Sequence, residues 1–455
     1  MNSSIRYHLE ALRTSYWFLP ALLGLLAIAM ALVTVGIDHA IGDRASWTNA
    51  WAYTGGPEGA RAVLATIAGS MITVAGVVFS ITIVALSLAS AQFGPRLLRN
   101  FIRDRRNQFV LGTFTATFLY CLLVLRTVRG TDHEQFVPGI SVTIGILLAV
   151  ASLGVLIYYI HHVAISIQAT HVIQSVSQEL RETINRLWPE QLGEEPSVEQ
   201  AEEAPSFPAE EAVTIQAGQS GYVDAIRNDT LLKLAKDHDL VLRLAYRPGH
   251  FAVAGTPLAE VWPPQNVSDE VSRRLNAAFV FAWHRSPFQD VEFAIDQLVE
   301  VAVRALSPGV NDPFTALTCI DRLGESLCQL AQRTMPSRLR YDDEQRLRII
   351  TYPVDFRAVT DAAFNQIRQY GAASAAVLIC LLETIAVIIW LARRSADRKA
   401  LADQADLVVR AARRSIPDEA DRADIEERFN RVQVTLAEMA SAARKCPSNM
   451  DAGSV

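Results

Sequence analysis

Lysine is nearly absent from this chain. Among 42 basic residues in 455, only Lys233, Lys236, Lys399 and Lys445 are lysines, and the net charge is −6 at pH 7. An acidic chain without a basic run lacks the electrostatic footprint of a DNA- or RNA-binding protein, so no nucleic-acid partner is expected. Cysteine is scarce as well. Cys121, Cys319, Cys328, Cys380 and Cys446 form no CxxC pair and no ligand spacing with histidine, so they read as packing residues in a reducing compartment, and no metal site is expected. No nucleophile-base pairing, phosphate loop or zinc signature stands out. The chain argues against an enzyme more than for one, and it calls for no cofactor.

Apolar residues are abundant. They make up 50% of the chain, which soluble domains of this size rarely reach, so the excess must be concentrated. Four uncharged runs concentrate it, at about 17–37, 62–93, 107–125 and 135–160. At about 1.5 Å per residue the first just covers a hydrocarbon core of about 30 Å. It is long for a signal peptide, and three further runs follow. The second holds 32 residues, so it must tilt, bend near Gly69 or Gly76, or extend beyond the bilayer. Pro138-Gly139 marks where the fourth helix begins.

Charge sets the expected orientation. Residues 1–165 carry a net charge of +4, leaving −10 for the remaining 290. Arg96, Arg99, Arg103, Arg105 and Arg106 crowd the loop between the second and third runs; by the positive-inside rule that loop is cytoplasmic, and with four spans so are both termini. The loop 38–61, with Trp47, Trp51 and Tyr53 as interfacial anchors, then lies outside. A fifth apolar run, 372–392, carries Glu383 at its centre, at a cost of about 2.5–3.5 kcal/mol in a bilayer. It reads as a buried soluble helix.

The fold class that follows is an α-helical membrane domain of four transmembrane helices, residues 1–165, followed by a cytoplasmic α+β region. That region divides into a helical stalk (166–189), an acidic Pro-containing linker (190–212), a small β-module (213–264) and a helical C-terminal part (265–455). Within the last part, Ser268 can cap one helix, Ser286-Pro287 opens a second, and Asn311-Asp312-Pro313 opens a third. The phrase RPGHFAVAGTPLAEV has the turn-strand pattern of biotinyl and lipoyl carrier domains, but no lysine is displayed on a turn there.

Three phrases carry a resemblance to a known family: VVFSITIVALSLASAQFGPRLLRNFIRD (77–104), HRSPFQD (284–290) and RALSPGVNDPFTALTCIDRL (304–323). Over nearly the whole chain it resembles a bacterial family of predicted membrane proteins catalogued as domain of unknown function 2254. The resemblance implies an inner-membrane location and the same four-span layout, and it supplies no catalytic residues.

The functional clues are two clusters and a stripe. On the second run Thr66, Thr73, Ser80 and Ser87 recur every seven residues, with Gly69, Ser70 and Gly76 beside them. Such a stripe either packs helices together or lines a conduit built from several copies of the chain, an oligomeric pore for ions or small solutes. The arginine cluster either sets topology and touches lipid headgroups or stands at the inner mouth. In the soluble region His284, Arg285, Gln289, Asp290, Arg304, Asn311, Asp312 and Asp321 form a polar cluster that either caps helices or contacts a small ligand or another subunit. His161, His162 and His171 read as interfacial anchors, since adjacent helical residues point about 100° apart. The expected partners are the bilayer, further copies of the chain and a small ligand. The main reading is a homo-oligomeric conduit; the alternative is a non-conducting sensor or scaffold.

Overall fold

The computed structural model describes residues 17–41, 53–97, 104–131, 134–188 and 212–445. The chain divides into two compact units, Met1–His171 and Val172–Val455. The expected acidic linker, with Arg99 and Arg103, lies outside the described residues.

Among its described residues the first unit holds four helices long and apolar enough to cross a membrane: α1 (Phe18–Ile41), α2 (Pro57–Phe93), α3 (Arg105–Thr127) and α4 (Gly139–Ser166). Each overruns its apolar run, because helices end at backbone signals and not where polarity begins. Pro57 opens α2 at a position where its missing N–H costs nothing, and Gly94, at φ 111°, stops it. Asp104 starts α3 by accepting from the Arg106 amide at 2.9 Å. A short hairpin, β1 (Arg129–Thr131) with β2 (Glu134–Phe136), joins α3 to α4.

Helix α3 is the centre of this unit and packs on the other three. It buries Val110, Phe114, Tyr120, Cys121 and Val124. Polar ties close both ends of the bundle. At one end Asp38 accepts from the Ile140 and Ser141 amides at 3.0 Å each, capping α4 from a different helix. Tyr120 adds a bond to the Ser141 carbonyl and one shared with Thr34, both 3.0 Å. At the other end His162 meets Asp104 at 2.6 Å, while Tyr159 donates to the Val78 carbonyl at 2.9 Å.

The second unit begins with α5 (Ala169–Leu187), whose apolar stripe Val172, Ile173, Val176, Leu180 and Ile184 is buried. Two sheets follow. One has the order β3-β7-β5-β10-β9, from β3 (Val213–Gln216), β5 (Val241–Leu244), β7 (Pro257–Trp262), β9 (Leu339–Tyr341) and β10 (Leu347–Ile350); the other is β6-β4-β8, from β4 (Gly221–Ile226), β6 (Phe251–Ala252) and β8 (Phe279–Ala282). Helices α6 (Asn228–Asp237) and α7 (Asp269–Ala278) join them around one core of Val223, Leu231, Leu242, Leu258, Leu275 and Ile349. The expected β-module of 213–264 is therefore too narrow. Strands β8, β9 and β10 come from the stretch read as helical, because their partners are distant in sequence and a four-residue strand carries little local signal.

The helical part comprises α8 (Val291–Ala305), α9 (Pro313–Ala331), α10 (Phe356–Tyr370), α11 (Ala375–Leu391), α12 (Ser395–Ser415) and α13 (Glu419–Lys445). Ser268, Asp290, Asp312 and Asp355 cap α7, α8, α9 and α10 with their side chains. Helix α8 does not open at Ser286-Pro287 as expected. Asp290 takes the capping position, and the Ser286 hydroxyl donates instead to Asp224. Helix α11 is the fifth apolar run. It packs against α9, α12 and α13, and its Glu383 reaches the surface, 3.4 Å from Arg428.

Candidate functional site

The stripe residues Thr66, Ser70, Thr73, Gly76, Ser80 and Ser87 are all exposed along α2, whereas Leu64, Ala68, Ala75 and Val78 are among the residues it buries. Within one chain the stripe packs against nothing that a Cβ at Gly69 or Gly76 would touch. Thr66 and Thr73 turn their hydroxyls back to the carbonyls of Ala62 and Gly69, at 2.7 and 2.8 Å, a bond that satisfies them in lipid as well as in water. Arg96, Arg105 and Arg106 are exposed. His161 is exposed and His162 buried, so the pair divides as adjacent helical positions must.

The soluble cluster does not converge. His284 is exposed; Asn311 sits in a left-handed turn at φ 49°; Arg304 lies one turn from Glu300 on α8, at 3.7 Å. Asp312 caps α9, and the Thr315 hydroxyl and amide hold its carboxyl below the usual range. Asp321 meets the Cys380 thiol, on another helix, at 3.8 Å. Arg285 and Asp290 do pair, at 2.7 Å, with Asp296 on the other side of the guanidinium at 2.9 Å. Asp290 is 3% exposed and caps α8, so this pair braces a helix start. Gly249 is part of the same joint: its φ is +92°, and a Cβ there would stand 2.3 Å from an Asp290 carboxylate oxygen. Among the described residues no group of three or more His, Cys, Asp or Glu could hold a metal.

A different constellation stands beside this cluster. Strands β5 and β10 run parallel, with Leu242 opposite Ile349, and all other pairings in their sheet are antiparallel. At the carboxyl ends of parallel strands the chain leaves the sheet in diverging loops, which is where ligands collect in α/β proteins. Here the two exits are Tyr246-Arg247-Pro248 and Thr351-Tyr352-Pro353-Val354, and between them opens a cavity of about 390 Å³. The end of α5, the end of β4 and the Phe288-Gln289 turn complete its wall.

The lining is chemically one-sided. Among the described residues it includes Arg186, Arg247 and Arg340, four aromatic rings and no carboxylate. Arg247 is spoken for, since its Nη2 bridges both oxygens of Glu292 at 2.7 and 2.8 Å; its Nε is buried without a partner. Arg340 is half-buried and donates only to carbonyls, Ser337 at 2.8 Å and Leu339 at 3.5 Å. Burial pushes its pKa down, because removing a cation from water without an anion beside it is costly. Arg186 donates to Thr183 and to the Pro287 carbonyl, again with no carboxylate. Trp188 is 3% exposed, and its Nε1 has no hydrogen-bond partner. Buried donors in native proteins are nearly always satisfied.

Of this site the sequence cluster contained only Gln289, which braces the end of β4 through the Ile226 amide at 2.9 Å. The arginines were missed because they come from α5, a loop and β9, far apart in sequence.

The family model described as "Predicted membrane protein (DUF2254)" matches residues 13–387. The chain belongs to this family. It is 36% identical over 378 residues, 82% of its own length and 71% of theirs, to "Uncharacterized protein Rv1290c" of Mycobacterium tuberculosis and "Uncharacterized protein Mb1321c" of Mycobacterium bovis. No solved structure matches. The DUF2254 match takes in all four apolar helices and every residue of the basic cavity.

Proposed function

We propose that the protein is a membrane-anchored receptor whose soluble unit binds a small anion at the carboxyl ends of β5 and β10, and that it sits in the bacterial inner membrane with both termini cytoplasmic. One observation carries the receptor reading: a cavity of ligand size walled by three arginines and no acid. Orientation rests on the arginine-rich loop after α2. The test is saturable binding of inorganic phosphate, pyrophosphate and citrate to the full-length protein in detergent, by equilibrium dialysis. Replacing Arg340 removes a charge-assisted contact worth about 1.5–3 kcal/mol, so Arg340→Gln should weaken binding about ten- to a hundredfold, and added salt should weaken it further. Absence of saturable binding to the wild type would end this reading.

The outward face of α2 favours a second reading. Several copies brought together along Ser70, Thr73, Gly76 and Ser80 would form a homo-oligomer, through close helix packing or around a conduit. Ion flux from liposomes separates these: Thr73→Leu and Ser80→Leu would block or reshape the flux of a conduit. A protein that passes no ions under tension, voltage or pH change is a receptor without a pore.

A further inference from the structure

The aromatic side of the cavity narrows the ligand further, on the basis of the anion-binding reading. Phe288 and Tyr352 line the cavity yet remain 50% and 45% exposed. Each already carries a guanidinium, Arg186 at 5.1 Å from the Phe288 centroid and Arg338 at 4.9 Å from that of Tyr352. Stacking of this kind fixes the plane of a ring at low entropic cost. Two large rings held in place at the mouth of a pocket, half in water, present flat apolar surface that a solvent-exposed position does not need. Asn228 lines the wall as an exposed polar side chain. The cavity thus pairs Arg186 and Arg340, which donate to oxygens other than carboxylates, with fixed rings and the polar side chain of Asn228.

An anion that uses both halves must carry a planar, hydrogen-bonding ring. We propose that the ligand is a nucleoside phosphate, its phosphate held by Arg186 and Arg340 and its base stacked against Phe288 and Tyr352. Aromatic and arginine faces accept any base, because every base has a π-face. A volume of about 390 Å³ lies at the small end of the range for ligand pockets, which suits a mononucleotide better than a dinucleotide. The carboxyl end of a parallel strand pair is also a place where nucleotides bind in sheets of this kind.

The decisive comparison is between phosphates that differ only in the base. Equilibrium dialysis of the full-length protein in detergent against AMP, GMP, CMP and UMP, with ribose 5-phosphate and pyrophosphate beside them, reads it directly. At least one nucleotide should bind tenfold or more tightly than ribose 5-phosphate. Tyr352→Leu, at a half-exposed position, should bring that nucleotide down to the ribose phosphate level and leave ribose phosphate itself unchanged; Phe288→Leu serves as the second such variant. Arg340→Gln should weaken both by similar factors. Equal binding of nucleotides and ribose 5-phosphate would overturn the base-stacking inference while leaving the anion site standing. No binding of any phosphate would overturn both.

Discussion

Helices α2 and α11 are made of the same material and meet opposite fates. Both are almost wholly apolar, and a hydropathy window alone does not separate their interiors. Along α2 the residues Ile72, Val77, Phe79, Ile83, Val84 and Leu88 stand exposed; along α11 the residues Val377, Leu378, Leu381, Leu382, Ile385, Ile388 and Ile389 are fully buried. The neighbours make the difference. Helices α9 and α12 turn buried faces of Ile320, Leu323 and Leu327, and of Leu401, Val408 and Val409, toward the helical core, whereas among the described residues α2 packs mainly on α3 and α4. An apolar helix is a core helix when amphipathic partners surround it. Without them its exposed surface needs another solvent, and lipid is the one available to 37 residues in a row.

The largest effect should come from putting a carboxylate on each helix. Leu382→Asp on α11 should abolish the cooperative thermal transition of the second unit, because an unpaired buried charge costs more than about 4 kcal/mol. Val84→Asp on α2 should leave that transition in place in detergent and instead lower the yield in membranes. If both variants melt alike, the contrast is wrong.

Glycine offers a finer version. Helices α9 and α11 meet at Gly324, where a Cβ would fall 2.4 Å from Thr384 Cγ2; Thr384 is β-branched and cannot swing aside. Gly324→Ala should cost about 1–3 kcal/mol by denaturant titration. At Gly76 a Cβ meets nothing within 4 Å, and Gly76→Ala should be neutral or stabilising by about 0.5–1 kcal/mol. A harmful Gly76→Ala in the membrane-embedded protein would mean that another copy covers this face.

Thiol chemistry probes the same contrast without changing stability. Burial pushes the Cys380 thiol on α11 up to about 12, so at pH 8 it should resist a water-soluble maleimide until the protein is unfolded. A cysteine at Ser80→Cys on α2 should react in membranes only if water reaches that face.

The smallest effect is an acid-range change confined to the second unit. The Arg346 amide, Arg348 and the Glu344 amide hold the Asp342 carboxyl down at about 2. With an unfolded-state value of about 3.9, this group contributes stability that is present above about pH 4 and lost as the pH falls through 2. Asp342→Asn should flatten the stability curve in that window and leave it unchanged at pH 7 in shape.

Much of this architecture is written locally. Uncharged runs announce the four long helices, and Pro138-Gly139 the start of α4, because length and polarity act on consecutive residues. Glu383 separated α11 from those four for a sound reason, since a carboxylate tolerable beside Arg428 in water is costly in lipid. The sheet was harder. Nothing near Leu347–Ile350 signals that its neighbour is Val241–Leu244, and a helix start at Ser286 looked as good as one at Asp290 until Asp224 claimed the hydroxyl. The basic cavity was least legible, since Arg186, Arg247 and Arg340 come from distant parts of the chain, and Arg186 and Arg340 acquire meaning only by donating to carbonyl and hydroxyl oxygens in space.

The parallel pairing of β5 with β10 also has a temporal side. Roughly a hundred residues separate the two strands, and a ribosome adding roughly 5–20 residues per second takes about 5–20 seconds to deliver the second after the first. For that interval β5 has an open edge where its central neighbour belongs, and the basic cavity has only half its rim. A nascent chain halted before Leu347 would own the arginines of α5 and the β5 exit, and would have nothing to hold them against.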